Sequence, residues 1–347
     1  MTDESPWPFA GRVAGVVART YGLADSYHSD HLASEMPAIV ASANDMVAAE
    51  TGLVVPGRPD VIIVDRREWV ARNLGSFSEL IEPAEHRLAD RIGVVDDDTA
   101  RDVARRLMAA ETGAMLGFLA RRVLGQYELV VPSGGDADSI AFVGANVLQM
   151  ERAQQFRPSE FRMWIALHEA AHRAQFVGVP WMRPYFMGLV KELVESSVPD
   201  ERRLSRLVGE LRSARRGGRP MIDERGLLGV FATPGQREAL DRVQALMSLL
   251  EGHGHVVMDR LGERLLPGQR RMSALLKARR ADQKTALFFR LTGLEMKMRQ
   301  YETGERFVMA VERQAGWHAL DAAWAGPGAL PDLAEVEDPT RWLRRVG

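Results

Sequence analysis

Cysteine is absent from all 347 residues, and that one gap removes several chemistries together. A disulfide scaffold, a thiolate-held iron–sulfur cluster, a cysteine-type structural zinc and a thiol nucleophile are all excluded, so any metal must be held by histidine and carboxylate. Only eight histidines are available. Lysine is also scarce: Lys191, Lys277, Lys284 and Lys297 are the only four. Arginine carries the rest of the positive charge, and the formal net charge is −2, which argues against a surface that tracks nucleic-acid phosphates. No apolar run approaches the ~18 residues of a membrane span, and the N-terminus has no basic stretch leading into an apolar one. The sequence thus reads as a cytoplasmic globular protein with neither membrane nor nucleic acid as partner.

What is present is mostly helical pattern. From Trp7 to Thr51 the chain is rich in Ala and Val at helical spacing, interrupted between Gly22 and Asp30, and predicts two or three mutually packed helices. Pro56, Gly57 and Pro59 precede Val61-Ile62-Ile63-Val64, a β-branched run that predicts a buried strand, and Asp65 to Trp69 opens the next helix. Thr99 to Leu124 predicts a helix stopped by Gly125. Two short strands are then expected, Glu128–Val131 and Ile140–Val143, joined as a hairpin through Pro132-Ser133-Gly134-Gly135-Asp136. Pro158-Ser159-Glu160 starts a helix expected to run through Phe176 and to stop at Gly178 and Pro180.

Residues 201–226, rich in Arg, Glu, Ser and Gly, are expected to form an exposed excursion. Helical pattern returns from Pro234 to Leu266 and from Gln269 to Gln314, and the tail from Leu330 is expected to be mostly loop with a short terminal helix. The expected organisation is an N-terminal, mainly helical region over 1–125 and a second region over 126–347.

The chemical signal is His168-Glu169-Ala170-Ala171-His172, an H-E-x-x-H pattern inside the Pro158 helix. Residues i and i+4 stand one turn apart on the same face, so both imidazoles can hold one zinc ion. Phe161, Trp164 and Ile165 share their stripe, which predicts an inward-facing, partly dry site. Glu169 is turned ~100° from His168, beside the metal rather than on it, where a carboxylate can act as general base.

A catalytic zinc needs a third protein ligand and an open position. Two places offer one. In Leu249-Leu250-Glu251-Gly252-His253-Gly254-His255, Glu251 and His255 are one turn apart, and the glycines would let this helix approach the His168 helix closely. Glu192, with Glu195 beside it, lies twenty residues after His172; a solvated face paired with Lys191 is the simpler account of that stretch. His253 and His255 are alternative ligands or donors to an oxyanion, and Tyr185 and Arg183 are further candidates for that role.

Beyond the motif, the chain resembles a known family. The marks are Asp65-Arg66-Arg67-Glu68-Trp69-Val70 with Asn73-Leu74, Phe142-Val143-Gly144-Ala145-Asn146, and Trp164 through His172 running on to Gln175-Phe176 and Val179-Pro180-Trp181. Leu250-Glu251-Gly252, Gly293-Leu294-Glu295-Met296-Lys297, Gln300-Tyr301-Glu302-Thr303-Gly304 and Pro339-Thr340-Arg341-Trp342 follow in order. These resemble the zincin-like metallopeptidases, a family once labelled a domain of unknown function whose actinobacterial members are described as coenzyme F420 biosynthesis-associated.

The resemblance implies an α+β, predominantly helical fold with a zincin-like core: a small sheet, the H-E-x-x-H helix and a returning helix that brings the third ligand. It favours Glu251 over Glu192. The expected activity is a zinc-dependent metallopeptidase or related hydrolase acting on a peptide or protein, with His168, His172 and Glu251 as ligands, Glu169 as base, and His255, His253 or Tyr185 at the transition state. The alternatives are a zinc-stabilised scaffold that does not turn over, and an accessory of coenzyme F420 metabolism. No G-x-G-x-x-G follows a strand to suggest a dinucleotide-like pocket.

Overall fold

The computed structural model describes residues 7–19, 21–23, 26–76, 78, 98–129, 138–196, 234–280 and 295–347. The expected excursion at 201–226 lies outside them. The chain divides into two compact units, one made of 1–82, 92–180 and 257–275, the other of 83–91, 181–256 and 276–347.

In the first unit, α1 (Trp7–Ala18) buries Ala10, Ala14 and Ala18, one residue per turn. It packs against α4 (Asp98–Ala120). A Cβ on Gly113 would lie 2.2 Å from the carbonyl oxygen of Ala10, and one on Gly117 2.6 Å from that of Ala14. The two helices therefore meet backbone to backbone, which only the small residues on both sides permit.

Helix α2 (Tyr27–Thr51) buries the stripe Leu32, Met36, Val40, Ala43 and Val47 and packs on the H-E-x-x-H helix. It ends where Gly52 takes the left-handed conformation, φ 69°, and returns its N–H to Ala48.

The sheet has three strands in the order β1-β3-β2. Strand β1 (Asp60–Val64) runs parallel to β3 (Ser139–Val143), and β2 (Gly125–Glu128) is antiparallel to it. Every residue of the central strand is buried, as expected of a strand paired on both sides. After β1, Asp65 accepts from the N–H groups of Arg67 and Glu68 and so caps the helix α3 at 66–76. Helix α5 (Gly144–Gln154) leaves β3 directly, and α6 (Pro158–Val177) follows with Pro158 in its first turn.

Two boundaries differ from expectation. Helix α4 ends at Ala120, and Gly125 opens a strand instead of stopping a helix. Strand β2 lies at 125–128 rather than 128–131, because Tyr127 pairs with Ile140 and Glu128 with Ser139; Val130 and Val131 lie outside the described residues. The hairpin relation itself is present.

The second unit contains α7 (Met182–Ser196), residues 234–256 of the long helix α8 (Pro234–Leu265), and α10 (Glu295–Ala315). The remainder of α8 and most of α9 (Gln269–Arg280) belong to the first unit. Residues 281–294, expected to continue the helix, lie outside the described residues.

From Leu330 the tail is less loop than expected: α11 (Leu333–Glu337) precedes α12 (Pro339–Val346), the expected short terminal helix, and 3-10 turns at Trp317–Trp324 and Pro327–Ala329 lead into them. Trp342 explains this, since it is fully buried among Phe307, Val308 and Val336 and donates its indole N–H to Ala329. Asp332 and Glu335 form a reciprocal capping box.

Candidate metal centre

Helix α6 is buried along most of its length, and its rotation about its own axis is fixed by charged clamps. Arg173, with no exposed surface, makes a two-pronged pair with Asp138 just before β3, donates to Asn44 of α2 at 3.1 Å and to the carbonyl of Pro56 at 2.8 Å. Arg162 bridges Glu151 of α5 and Glu35 of α2. With four distinct acceptors around Arg173, the helix has little freedom to rotate.

That rotation sets where the motif faces. Phe161, Trp164 and Ile165 are buried as expected, and His168 and His172, further along the stripe, are half-buried. Their Nε2 atoms lie 3.2 Å apart with the rings edge-on. Two Zn–N bonds of ~2.0–2.1 Å in a tetrahedral site place their nitrogens ~3.3 Å apart, so the observed spacing suits a shared ion.

His172 directs its other nitrogen, Nδ1, to Oε1 of the buried Gln175 at 3.0 Å. Glu169 is buried, and its Oε2 accepts the backbone N–H of Tyr127 at 3.0 Å. This N–H is on the side of β2 turned away from β3. The approach depends on Gly125, where a Cβ would lie 2.8 Å from Cγ and Oε1 of Glu169.

On α8, Glu251 is half-buried and His255 buried. With His168 they make up a candidate donor set for a metal ion. Two imidazoles and a carboxylate are a donor set that suits zinc and other borderline divalent ions. His253, two residues from both Glu251 and His255, turns to the other side of the helix. It stacks on Trp317 with centroids 5.6 Å apart and stands edge-on to Trp324 at 5.1 Å. Gly252 makes its close approach to Gly304 of α10, where an added Cβ would be 2.2 Å from the Gly304 carbonyl carbon. This crossing with α10 is what Gly252 permits.

The remaining candidates are placed elsewhere. Glu192 is exposed and binds Arg242 through both carboxylate oxygens, at 2.6 and 2.7 Å. Tyr185 is half-buried, edge-on to Trp181; Arg183 is half-buried; the side chain of Glu195 lies outside the described residues. Sequence reasoning overlooked Gln175, whose position three residues after His172 is itself a signal of a shared helix face. It also overlooked the Tyr127 amide, which no residue type announces.

A solved structure from Chloroflexus aurantiacus, presented as a candidate hydrolase with a novel fold, is 29% identical, with 98% of this chain and 97% of that one covered and a TM-score of 0.70. No curated protein matches. The profile of the zincin-like metallopeptidases matches residues 6–343, and the chain therefore belongs to that family.

Proposed function

We propose that the protein is a zinc-dependent peptidase in which His168, His172 and Glu251 hold the ion and Glu169 is the general base. Family membership and the His/Glu cluster support a metal-dependent hydrolase in general. The observation that carries the finer reading is the pair of facing Nε2 atoms with a buried carboxylate, Glu169, one residue along the same helix.

When bound, zinc supplies a Lewis acid that makes water a nucleophile near neutral pH. The chain's own groups do the rest. The Tyr127 N–H holds Oε2 of Glu169 and orients the carboxylate that takes a proton and later releases it to a departing amine. His255, buried one turn from Glu251 on α8, is the polar group of the candidate set suited to hydrogen-bond a developing oxyanion. A purely structural zinc needs neither a base nor an amide to orient it.

The test is Glu169→Gln, followed by zinc content and by cleavage of a peptide library read by mass spectrometry. The expected result is a full equivalent of zinc with cleavage reduced at least ~100-fold, the usual contribution of a general base. A wild-type protein that takes up no zinc, or a variant that cleaves as fast as wild type, would overturn the reading.

A further inference from the structure

We infer that Gln175 is a positioning residue for the metal centre, fixing His172 in the tautomer that carries its hydrogen on Nδ1 and none on Nε2; this rests on the ligand role proposed for His172. Residues 172 and 175 are three apart on α6 and share a face. The Nδ1 to Oε1 distance is 3.0 Å. An amide oxygen only accepts, so the hydrogen in this contact belongs to Nδ1. In a neutral imidazole that leaves Nε2 without a proton, and Nε2 is the atom that faces His168.

Gln175 is held for this task. It has no exposed surface, and its neighbours Arg173 and Ala174 are at most 1% exposed. A buried amide of this kind exchanges its partner for water only at a cost. A neutral acceptor also brings no charge, whereas a carboxylate at the same place would add negative charge to a centre that already includes Glu169 and Glu251. Metal-binding histidines commonly give their second nitrogen to an oxygen acceptor, and loss of that acceptor weakens metal binding by 10- to 100-fold.

The bland account is that Gln175 only fills space, and it makes different predictions. In full-length metal-free protein labelled with 15N at histidine, long-range NMR couplings report which nitrogen of His172 carries the hydrogen. The expected result is Nδ1–H in wild type and a mixture or Nε2–H in Gln175→Leu. Zinc affinity, measured by competition with a chromogenic chelator, should fall ~10- to 100-fold in Gln175→Leu and recover in Gln175→Glu, which restores an acceptor.

A wild-type His172 protonated at Nε2 would overturn the inference without any variant. So would a folded Gln175→Leu that binds zinc as tightly as wild type. If wild type binds no zinc while His172 still shows Nδ1–H, the zinc reading fails and the tautomer assignment stands.

Discussion

Replacing Gly304 by alanine should loosen the helix that carries Glu251 without touching any candidate ligand. The added Cβ would lie 1.8 Å from the carbonyl oxygen of Ser248 and 2.7 Å from its carbon, where ordinary contact begins near 3.4 Å. Both obstacles are backbone, so the helices must part by roughly 1.5 Å, and overpacking of this kind costs about 3 kcal/mol, the upper part of its usual range. Alanine returns less than ~1 kcal/mol through its helix propensity. The net loss of ~2 kcal/mol corresponds to a fall in Tm of about 3 °C for a chain of 347 residues at ~2.1 cal/mol/K of unfolding entropy per residue, read by scanning calorimetry of the metal-free protein. Zinc affinity should fall as well, by about tenfold, because Glu251 precedes the crossing residue Gly252. Gly188→Ala is the control: it sits in α7 with nothing within 4 Å of an added Cβ and should hold or raise Tm. A Gly304→Ala protein that melts within about 1 °C of wild type would refute the steric argument.

Glu251→Ala should lower bound zinc below one equivalent, and Glu192→Ala should leave it unchanged; the reverse pattern, by metal analysis, would move the third ligand to Glu192. Gly125→Ala should keep the zinc and the fold but slow peptide cleavage by about 100-fold, as expected when a reacting group is displaced by the order of an ångström. Unchanged cleavage would show that Glu169 does not need its place against β2.

Glu50 gives the pH prediction. Burial alone would raise its pKa, but hydrogen bonds and ion pairs with Arg264 and Arg260 outweigh it and hold the carboxyl below 4.5. A folded pKa below the unfolded one contributes stability above the unfolded value, and this is lost as pH falls through the folded value. Glu50→Gln should therefore be less stable than wild type at pH 7, with the difference shrinking below about pH 4.5 as the wild-type carboxyl protonates. An equal difference in denaturation midpoint at pH 3 and pH 7 would contradict the assignment.

The parts of this protein that could be read from sequence are those whose determinants are neighbours in the chain. Helix α6 announced itself through Pro158 and its period, and the His168–His172 pair through a spacing that one turn of helix enforces. The strand at Gly125-Gln126-Tyr127-Glu128 did not, because its composition is polar and its place is set by pairing with β3 and by contact with Glu169. The tail misled for a related reason. Its prolines, glycines and alanines resemble loop, yet tryptophans with buried faces hold it in short helical turns. The preference for Glu251 over Glu192 comes from the family pattern and from Lys191 beside Glu192, and the structure adds that Arg242 engages both carboxylate oxygens of Glu192.

The contact between α1 and α4 sets a condition on how the chain acquires its fold. The fully buried stripe of α1 is three alanines, with Trp7 and Phe9 partly buried against the same core, and the residues that receive the alanines, Gly113 and Gly117, come about a hundred positions later. Closing a loop of that length carries an entropic cost that weak, partial contact cannot offset. The alanine stripe therefore finds its matching surface only after Gly113 and Gly117 have formed a helix to receive it, so the closest backbone contact of the first helix depends on a segment made about a hundred residues later.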